Sequence, residues 1–162
     1  MSESMAQGMV LTLADKHKLE SELNMLKTVK KAEVTRDIAE ARAHGDLSEN
    51  AEYDEAKNEE ARVQGRIVQL EEMLANATIV DEDDASTDVV SLGTVVTVYD
   101  MEYDEEDEYT IVGITESDPS KLFISGESPI GAALMGSHVG DIVEANPPGG
   151  IVKMQVKEIK RR

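Results

Sequence analysis

The sequence contains no cysteine and only three histidines, His17, His44 and His138, which lie far apart along the chain. A disulfide framework and a thiolate metal site are therefore excluded, and the histidines do not suggest a ligand cluster. The N-terminus lacks a basic start, and no stretch approaches the ~18 apolar residues that a membrane span needs. We expect a soluble, cytoplasmic protein that does not bind membranes.

Aromatic and basic residues are also scarce. The 162 residues include one Phe, four Tyr and no Trp, and the formal net charge is -18. Contacts to phosphate need clustered Lys and Arg, and single-stranded bases need aromatic platforms. The composition therefore disfavours a general RNA-binding module, and any nucleic-acid function must be local or indirect.

The composition divides the chain into two parts. Residues 1–80 are rich in Ala, Glu, Lys and Leu without proline, which predicts helices. Residues 89–162 contain β-branched runs such as TVVTVYD and IVKMQVKEI, which predict strands. Residues 81–88, DEDDASTD, have the composition of an exposed acidic linker. The expected class is α+β, with a helical N-terminal domain and a β-rich C-terminal domain.

Apolar residues in the helical part follow coiled-coil spacing, with alternating steps of four and three. The positions in this seam are Leu19, Leu23, Leu26, Val34, Ile38 and Ala41 in the first segment, and Val63, Ile67, Leu70, Leu74 and Ala77 in the second. The longer step from Leu26 to Val34 predicts a local change of winding. If the two segments pair antiparallel, the residue numbers of facing positions should add to a constant, and they nearly do. The midpoint of this sum predicts a hairpin with its tip at residues 44–50.

The ends of this hairpin carry recognisable turn and cap residues. Gly45 lies where a tight reversal of the chain would need it. Thr12 and Asp15 resemble a capping box that opens the first helix. The rise from this cap to the tip covers roughly 33 residues, or about 50 Å at 1.5 Å per residue.

The predicted tip, HGDLSENAEYDE, is acidic. Asp46 and Glu49 could form a simple capping arrangement that starts the second helix. Alternatively, two carboxylates three residues apart on a rigid turn could share one Mg²⁺, for which a partner enzyme would supply the remaining ligands. Behind the tip, Arg42 and Lys57 should lie close together, either paired with neighbouring acids or contacting RNA phosphate.

Two stretches resemble signatures of the GreA/GreB family of transcript cleavage factors, with the closer likeness to GreA. They are AEARAHGDLSENAEYDEAK at residues 39–57 and GESPIGAALMGSHVGD at residues 126–141. The resemblance extends from about Leu11 to Ile159, and residues 1–10, which precede the family start, are expected to be disordered. It implies an antiparallel coiled coil followed by an FKBP-like domain that docks on RNA polymerase and does not isomerise proline.

The resemblance also implies functions for individual residues. The coiled coil would enter the polymerase's secondary channel, where Asp46 and Glu49 help to position a Mg²⁺ that belongs to the shared active site and is not expected on the free protein. Arg42 and Lys57 match the family's basic patch, proposed to contact the 3′ end of backtracked RNA. Ser128, Pro129 and Ile130 fall in the segment expected to dock on polymerase.

The sequence of the C-terminal part itself predicts a short helix begun by Ser128 with proline in its first turn. Leu134 and Met135 could belong to the core or to a docking surface. The expected protein is a monomeric accessory factor, without enzymatic activity of its own, that stimulates RNA cleavage by polymerase. The alternative is a relative that binds the channel and inhibits without stimulating cleavage; intact Asp46 and Glu49 argue against it.

Overall fold

The computed structural model describes residues 9–45 and 50–162. The chain divides into two compact units, which we call the helical unit, residues 16–77, and the β-rich unit, residues 9–15 with 78–162. The α+β class and the order of a helical hairpin before a β-rich domain are thereby confirmed. Among the residues described, no helix combines the length and hydrophobicity that a bilayer span requires.

The helical unit is an antiparallel hairpin. Its elements are α1 (Leu13–Met25), a π-helical turn (Leu26–Lys30), α2 (Lys31–Ala43) and α3 (Ala51–Asn76). The first three residues of α1 belong to the β-rich unit. The buried cluster between the helices consists of Val34, Ile38, Ala56, Val63 and Ile67, with Leu23, Leu26 and Tyr53 packed against it. These are largely the predicted seam positions, so the periodicity identified the buried face correctly.

The change of winding predicted between Leu26 and Val34 is confirmed as the π-helical turn. The backbone N–H of Lys31 donates to the carbonyl of Leu26, five residues earlier. This wider turn accommodates one residue more than a heptad, so that Leu26 and Val34 still face α3.

The β-rich unit contains a five-stranded sheet and a separate pair of short strands. The strands and the helix of this unit are β1 (Val10–Thr12), β2 (Thr78–Val80), β3 (Thr94–Asp100), β4 (Glu105–Val112), β5 (Phe123–Ser125), α4 (Pro129–Leu134), β6 (Ile142–Ala145) and β7 (Val152–Arg161). The sheet order is β5-β4-β3-β7-β6, with only the β4–β5 pair parallel. One core of ten buried residues, including Val96, Ile111 and Val156, fills this unit.

The boundary between the units differs from the one that composition suggested. Strand β1 pairs in parallel with β2, with Leu11 opposite Ile79, so both ends of the hairpin continue into the β-rich unit. Composition indicated neither strand, because three residues are too few to show an alternating pattern. Val10, placed in the segment expected to be disordered, begins β1; residues 1–8 of that segment lie outside the described residues.

The acidic segment 81–88 is also part of the β-rich unit and not a separate linker. It contains a 3₁₀ turn, Glu82–Asp84, and the last two residues of the chain hold it. Arg161 donates to the carbonyl of Asp83 at 2.5 Å, and the Arg162 guanidinium lies 3.4 Å from the Glu82 carboxylate. Exposed acidic composition could not indicate these contacts, since their basic partners lie some 80 residues later.

The predicted capping box at the start of α1 is confirmed. The Thr12 N–H donates to Oδ2 of Asp15 at 3.1 Å, and the Asp15 N–H donates to Oγ1 of Thr12 at 3.0 Å. Asp15 is fully buried, and its other oxygen accepts hydrogen bonds from the backbone N–H and the hydroxyl of Thr115. The cap therefore also fixes the start of α1 to the loop after β4.

Candidate functional site

Helix α2 ends at the predicted tip. The N–H of His44 donates to the carbonyl of Ala41, and Gly45 follows with a φ of +119°. Such a φ is strained for any residue with a side chain, so glycine is the residue that suits this reversal. Residues 46–49, which include the candidate ligands Asp46 and Glu49, lie outside the described residues.

Asn50 caps helix α3. Its Oδ1 accepts a hydrogen bond of 3.0 Å from the N–H of Tyr53, in the first turn of the helix. Its Nδ2 donates to the carbonyl of Ala41, near the end of α2, at 2.6 Å. Asn50 is therefore the N-cap residue of α3, and the capping arrangement predicted for Asp46 and Glu49 lies outside the described residues.

Sequence reasoning did not identify Asn50. A signal for its cap was present, because asparagine is favoured immediately before a helix whose first turn is acidic, here with Glu52 and Asp54. No sequence pattern indicated the hydrogen bond from Asn50 to Ala41, since Ala41 contributes only its backbone carbonyl. Such a contact depends on how the two helices approach each other.

The candidate RNA-contacting residues Arg42 and Lys57 each have a described side-chain partner. The guanidinium of Arg42 lies 5.9 Å from the ring centroid of Tyr53, within the range of a cation–π contact. The Lys57 ammonium hydrogen-bonds Glu60 at 2.7 Å, and this contact raises the pKa of Lys57, whereas the positive charge of Arg42 opposes the rise. Lys57 thus pairs with a neighbouring acid, as one of the two alternatives predicted, while Arg42 lies within cation–π distance of Tyr53.

Another face of the hairpin end is strongly acidic. A cleft of about 320 Å³ is lined by Asp37, Glu40, Ala41, His44, Glu52, Glu55, Ala56, Glu59 and Arg62. The Nδ1 of His44 lies 3.2 Å from a carboxylate oxygen of Glu52. Within residues 9–45 and 50–162, no group of three or more acidic or histidine side chains is placed to hold a metal ion.

The candidate docking segment forms the start of helix α4, as predicted. Ser128 Oγ accepts from the N–H of Gly131 at 3.1 Å and donates to the carbonyl of Ser125 at 2.7 Å, while Pro129 occupies the first helical turn. Pro129 is exposed and Ile130 is partly buried against the core. Of these three residues, Pro129 therefore offers the most accessible surface.

The two residues left open between core and docking surface differ. Leu134 is fully buried in the core of the β-rich unit. Met135 is half-buried, packs against that core and lines a cleft of about 510 Å³ together with Val10, Ile79 and Leu92. Leu134 is therefore a core residue, and Met135 reaches the surface.

Comparison with known proteins identifies the class to which these features belong. Residues 9–79 match the model of the N-terminal domain of transcription elongation factors, and residues 76–161 match the GreA/GreB C-terminal domain. The chain belongs to the GreA/GreB family of transcription elongation factors.

Several relatives are similar over nearly the whole chain. Transcription elongation factor GreA of Acetivibrio thermocellus is 57% identical over 152 residues, covering 94% of this chain and 96% of the relative. The GreA of Thermoanaerobacter pseudethanolicus is 55% identical over 157 residues, covering 97% and 100%. The solved GreA factor homolog 1 (Gfh1) of Thermus thermophilus is 30% identical with a TM-score of 0.43, covering 94% of this chain and 99% of that one.

Proposed function

We propose that this elongation factor binds RNA polymerase, inserts its helical hairpin into the secondary channel and stimulates the polymerase's own cleavage of backtracked RNA. The observation that supports it most is the hairpin, whose tip carries the family sequence with both acidic residues present. Asn50 supplies the N-cap of α3, with its side chain accepting from the N–H of Tyr53. Cleavage would leave a new RNA 3′ end in the active site and rescue arrested complexes.

Asp46 and Glu49 would hold Mg²⁺ together with ligands of the polymerase. Their carboxylate oxygens suit this hard cation, but two carboxylates leave most of its octahedral coordination open. Mg²⁺ held there would supply positive charge to stabilise the attacking and leaving oxygens during hydrolysis of the phosphodiester.

Arg42 and Lys57 would contact the phosphates of the extruded RNA. The Tyr53 ring holds Arg42, a residue that can bind phosphate through two parallel N–H groups. Lys57 would exchange Glu60 for phosphate on binding. In the β-rich unit, the start of α4 would contact polymerase mainly through exposed Pro129, since both hydrogen-bonding functions of Ser128 are used within the chain.

The test uses stalled polymerase complexes that contain 3′-labelled RNA and Mg²⁺. We expect the wild type to release short 3′ fragments and the Asp46→Ala, Glu49→Ala double variant to bind polymerase but release none above background. The matched control, Asp54→Ala with Glu55→Ala, removes two exposed acids of α3 and should retain cleavage. Wild-type protein that slows elongation without releasing fragments would refute the proposal and favour a channel-blocking factor.

A further inference from the structure

Helices α2 and α3 border two clefts of opposite character. The cleft of about 320 Å³ described above, which we call the acidic cleft, carries five carboxylates against one arginine. The other, which we call the lysine groove, has a volume of about 430 Å³. Its apolar lining includes Val34, Ala61 and Val63, and its charged residues are Lys31, Lys57 and Glu60. The two sets of lining residues do not overlap, so the hairpin offers a partner two separate surfaces.

We propose that the lysine groove is a binding site for the extruded RNA. Lys31 and Lys57 hold two phosphates, and the base between these phosphates covers the apolar lining. This inference rests on the proposed function, and it adds Lys31 and the groove to the contacts already proposed for Arg42 and Lys57.

The distribution of charge directs RNA to this groove. RNA phosphates need clustered basic side chains, and the carboxylates of the acidic cleft repel them. The Glu60 contact raises the pKa of Lys57, and the positive charge of Arg42 opposes the rise, so Arg42 lies near Lys57. Arg42, Lys57 and Lys31 therefore form a connected basic path.

Lys31 is the lysine of the groove that is free to bind phosphate. Its side chain is exposed, and none of the acidic side chains in residues 9–45 and 50–162 forms an ion pair with it. Lys57, in contrast, pairs with Glu60 at 2.7 Å. Lys31 can therefore bind a phosphate without first giving up an acidic partner.

The apolar lining suits a nucleobase. Val34 and Val63 are buried between the helices, and Ala61 is exposed beside them. A volume of about 430 Å³ falls within the roughly 300–1,000 Å³ of sites for small organic ligands. A single base fits there, and covering the lining removes apolar surface from water.

The position of Lys31 makes its contact depend on the length of the RNA. Lys31 begins α2, a helix of 13 residues that ends near the tip. Lys31 is therefore about 20 Å from the end of the helix, at 1.5 Å per residue. A stacked strand rises about 3.4 Å per nucleotide, so about six extruded nucleotides reach Lys31.

The first experiment measures the factor concentration needed for half-maximal cleavage in stalled complexes with about two or about ten extruded nucleotides. We expect Lys31→Gln to raise this concentration about fivefold for the long RNA, the size of one exposed charge contact, and to leave it unchanged for the short RNA. The salt dependence with long RNA should become shallower by about 0.7 in logarithmic slope.

The matched control is Lys30→Gln. Lys30 is the neighbouring residue, but it pairs with Glu33 and with Glu59 of the acidic cleft. This variant should resemble the wild type with both RNA lengths. If Lys31→Gln behaves like Lys30→Gln, the RNA site is overturned. Equal weakening by Lys31→Gln at both lengths would also overturn it and would indicate a contact with polymerase.

A second pair of variants should act in the opposite direction. Glu60→Gln removes the carboxylate of the groove and releases Lys57, so it should lower the factor concentration needed with long RNA. Glu59→Gln removes a carboxylate of the acidic cleft instead and should have no effect. An equal gain in both variants would show that only overall charge matters and would overturn the site.

The last experiment locates the RNA without relying on cleavage. A photoreactive thiouridine about six nucleotides from the RNA 3′ end should crosslink to residues 31–35 or 57–64. Crosslinks confined to residues 37–44 or 52–55 would overturn the proposal. Wild-type factor that crosslinks at the groove but does not stimulate cleavage would refute the proposed function and leave the RNA site standing.

Discussion

Asp15 is a buried carboxylate that is held by hydrogen bonds. Its oxygens accept from the N–H of Thr12 and from the N–H and hydroxyl of Thr115, and no basic side chain lies within ion-pair distance among the described residues. A buried charge needs such donors, because burial otherwise penalises it heavily. The loop that carries Thr115 must therefore approach Asp15 closely, and Gly113 lies at this approach.

Gly113→Ala should be strongly destabilising for this reason. A Cβ at position 113 would lie 2.0 Å from Oδ2 of Asp15, so the loop or the carboxylate would have to move and lose hydrogen bonds. We expect the free energy of unfolding to fall by about 1–3 kcal/mol or more. Denaturant unfolding would measure it, with Gly149→Ala as control, since a Cβ there meets nothing within 4 Å. Equal stability of the two variants would contradict this account of the Asp15 contact.

The distinction between predictable and unpredictable residues follows from the range of their interactions. Repeated spacing identified the buried faces of α2 and α3, and a three-residue separation identified the Thr12–Asp15 cap. Thr115 lies 100 residues from Asp15, and the partner of Asn50 at Ala41 is a backbone carbonyl, so neither contact leaves a local pattern. At the candidate site, sequence identified Asp46 and Glu49 as residues to test, whereas the geometry around Asn50 required coordinates.

Among the elements, the π-helical turn has a specific structural cause. The step from Leu26 to Val34 is one residue longer than a heptad, and a continuous α-helix would rotate Val34 by about 100° away from α3. The wider turn absorbs the extra residue. Val29 in this turn is 55% exposed, so its side chain contributes little to packing.

Deleting Val29 should therefore convert the π-helical turn into regular α-helix and leave the hairpin core intact. We expect the thermal unfolding midpoint of this variant, measured by ellipticity at 222 nm, to lie within about 3 °C of that of the wild type. The control deletes Arg36, an exposed residue between Val34 and Ile38, which rotates Ile38 and Ala41 out of the core. This control should lose about 2–3 kcal/mol of stability. If both deletions lower the stability by a similar amount, the π-helical turn is not where the helix accommodates its extra residue.

For the whole molecule, the β-rich unit is assembled from two separate parts of the chain. Residues 9–15 come before the hairpin, yet β1 pairs with β2, and Val10 and Val80 pack against the same core. Leu11 is fully buried in this arrangement. A contiguous fragment that begins at Thr78 would lack these contacts, although composition suggested that the C-terminal domain is continuous.

Two fragments test this division of the chain. Residues 78–162 alone should unfold at lower denaturant concentration than a fusion in which residues 9–15 precede Thr78 through a flexible linker. About ten Gly and Ser residues suffice, because such a linker spans roughly 17 Å on average and parallel β1 and β2 require only a return along three residues. The expected gain is at least the 1.5–3 kcal/mol that burial of a leucine side chain typically contributes. A fusion carrying Leu11→Ser should lose most of this gain; equal stability of all three proteins would show that β1 is dispensable for the β-rich unit.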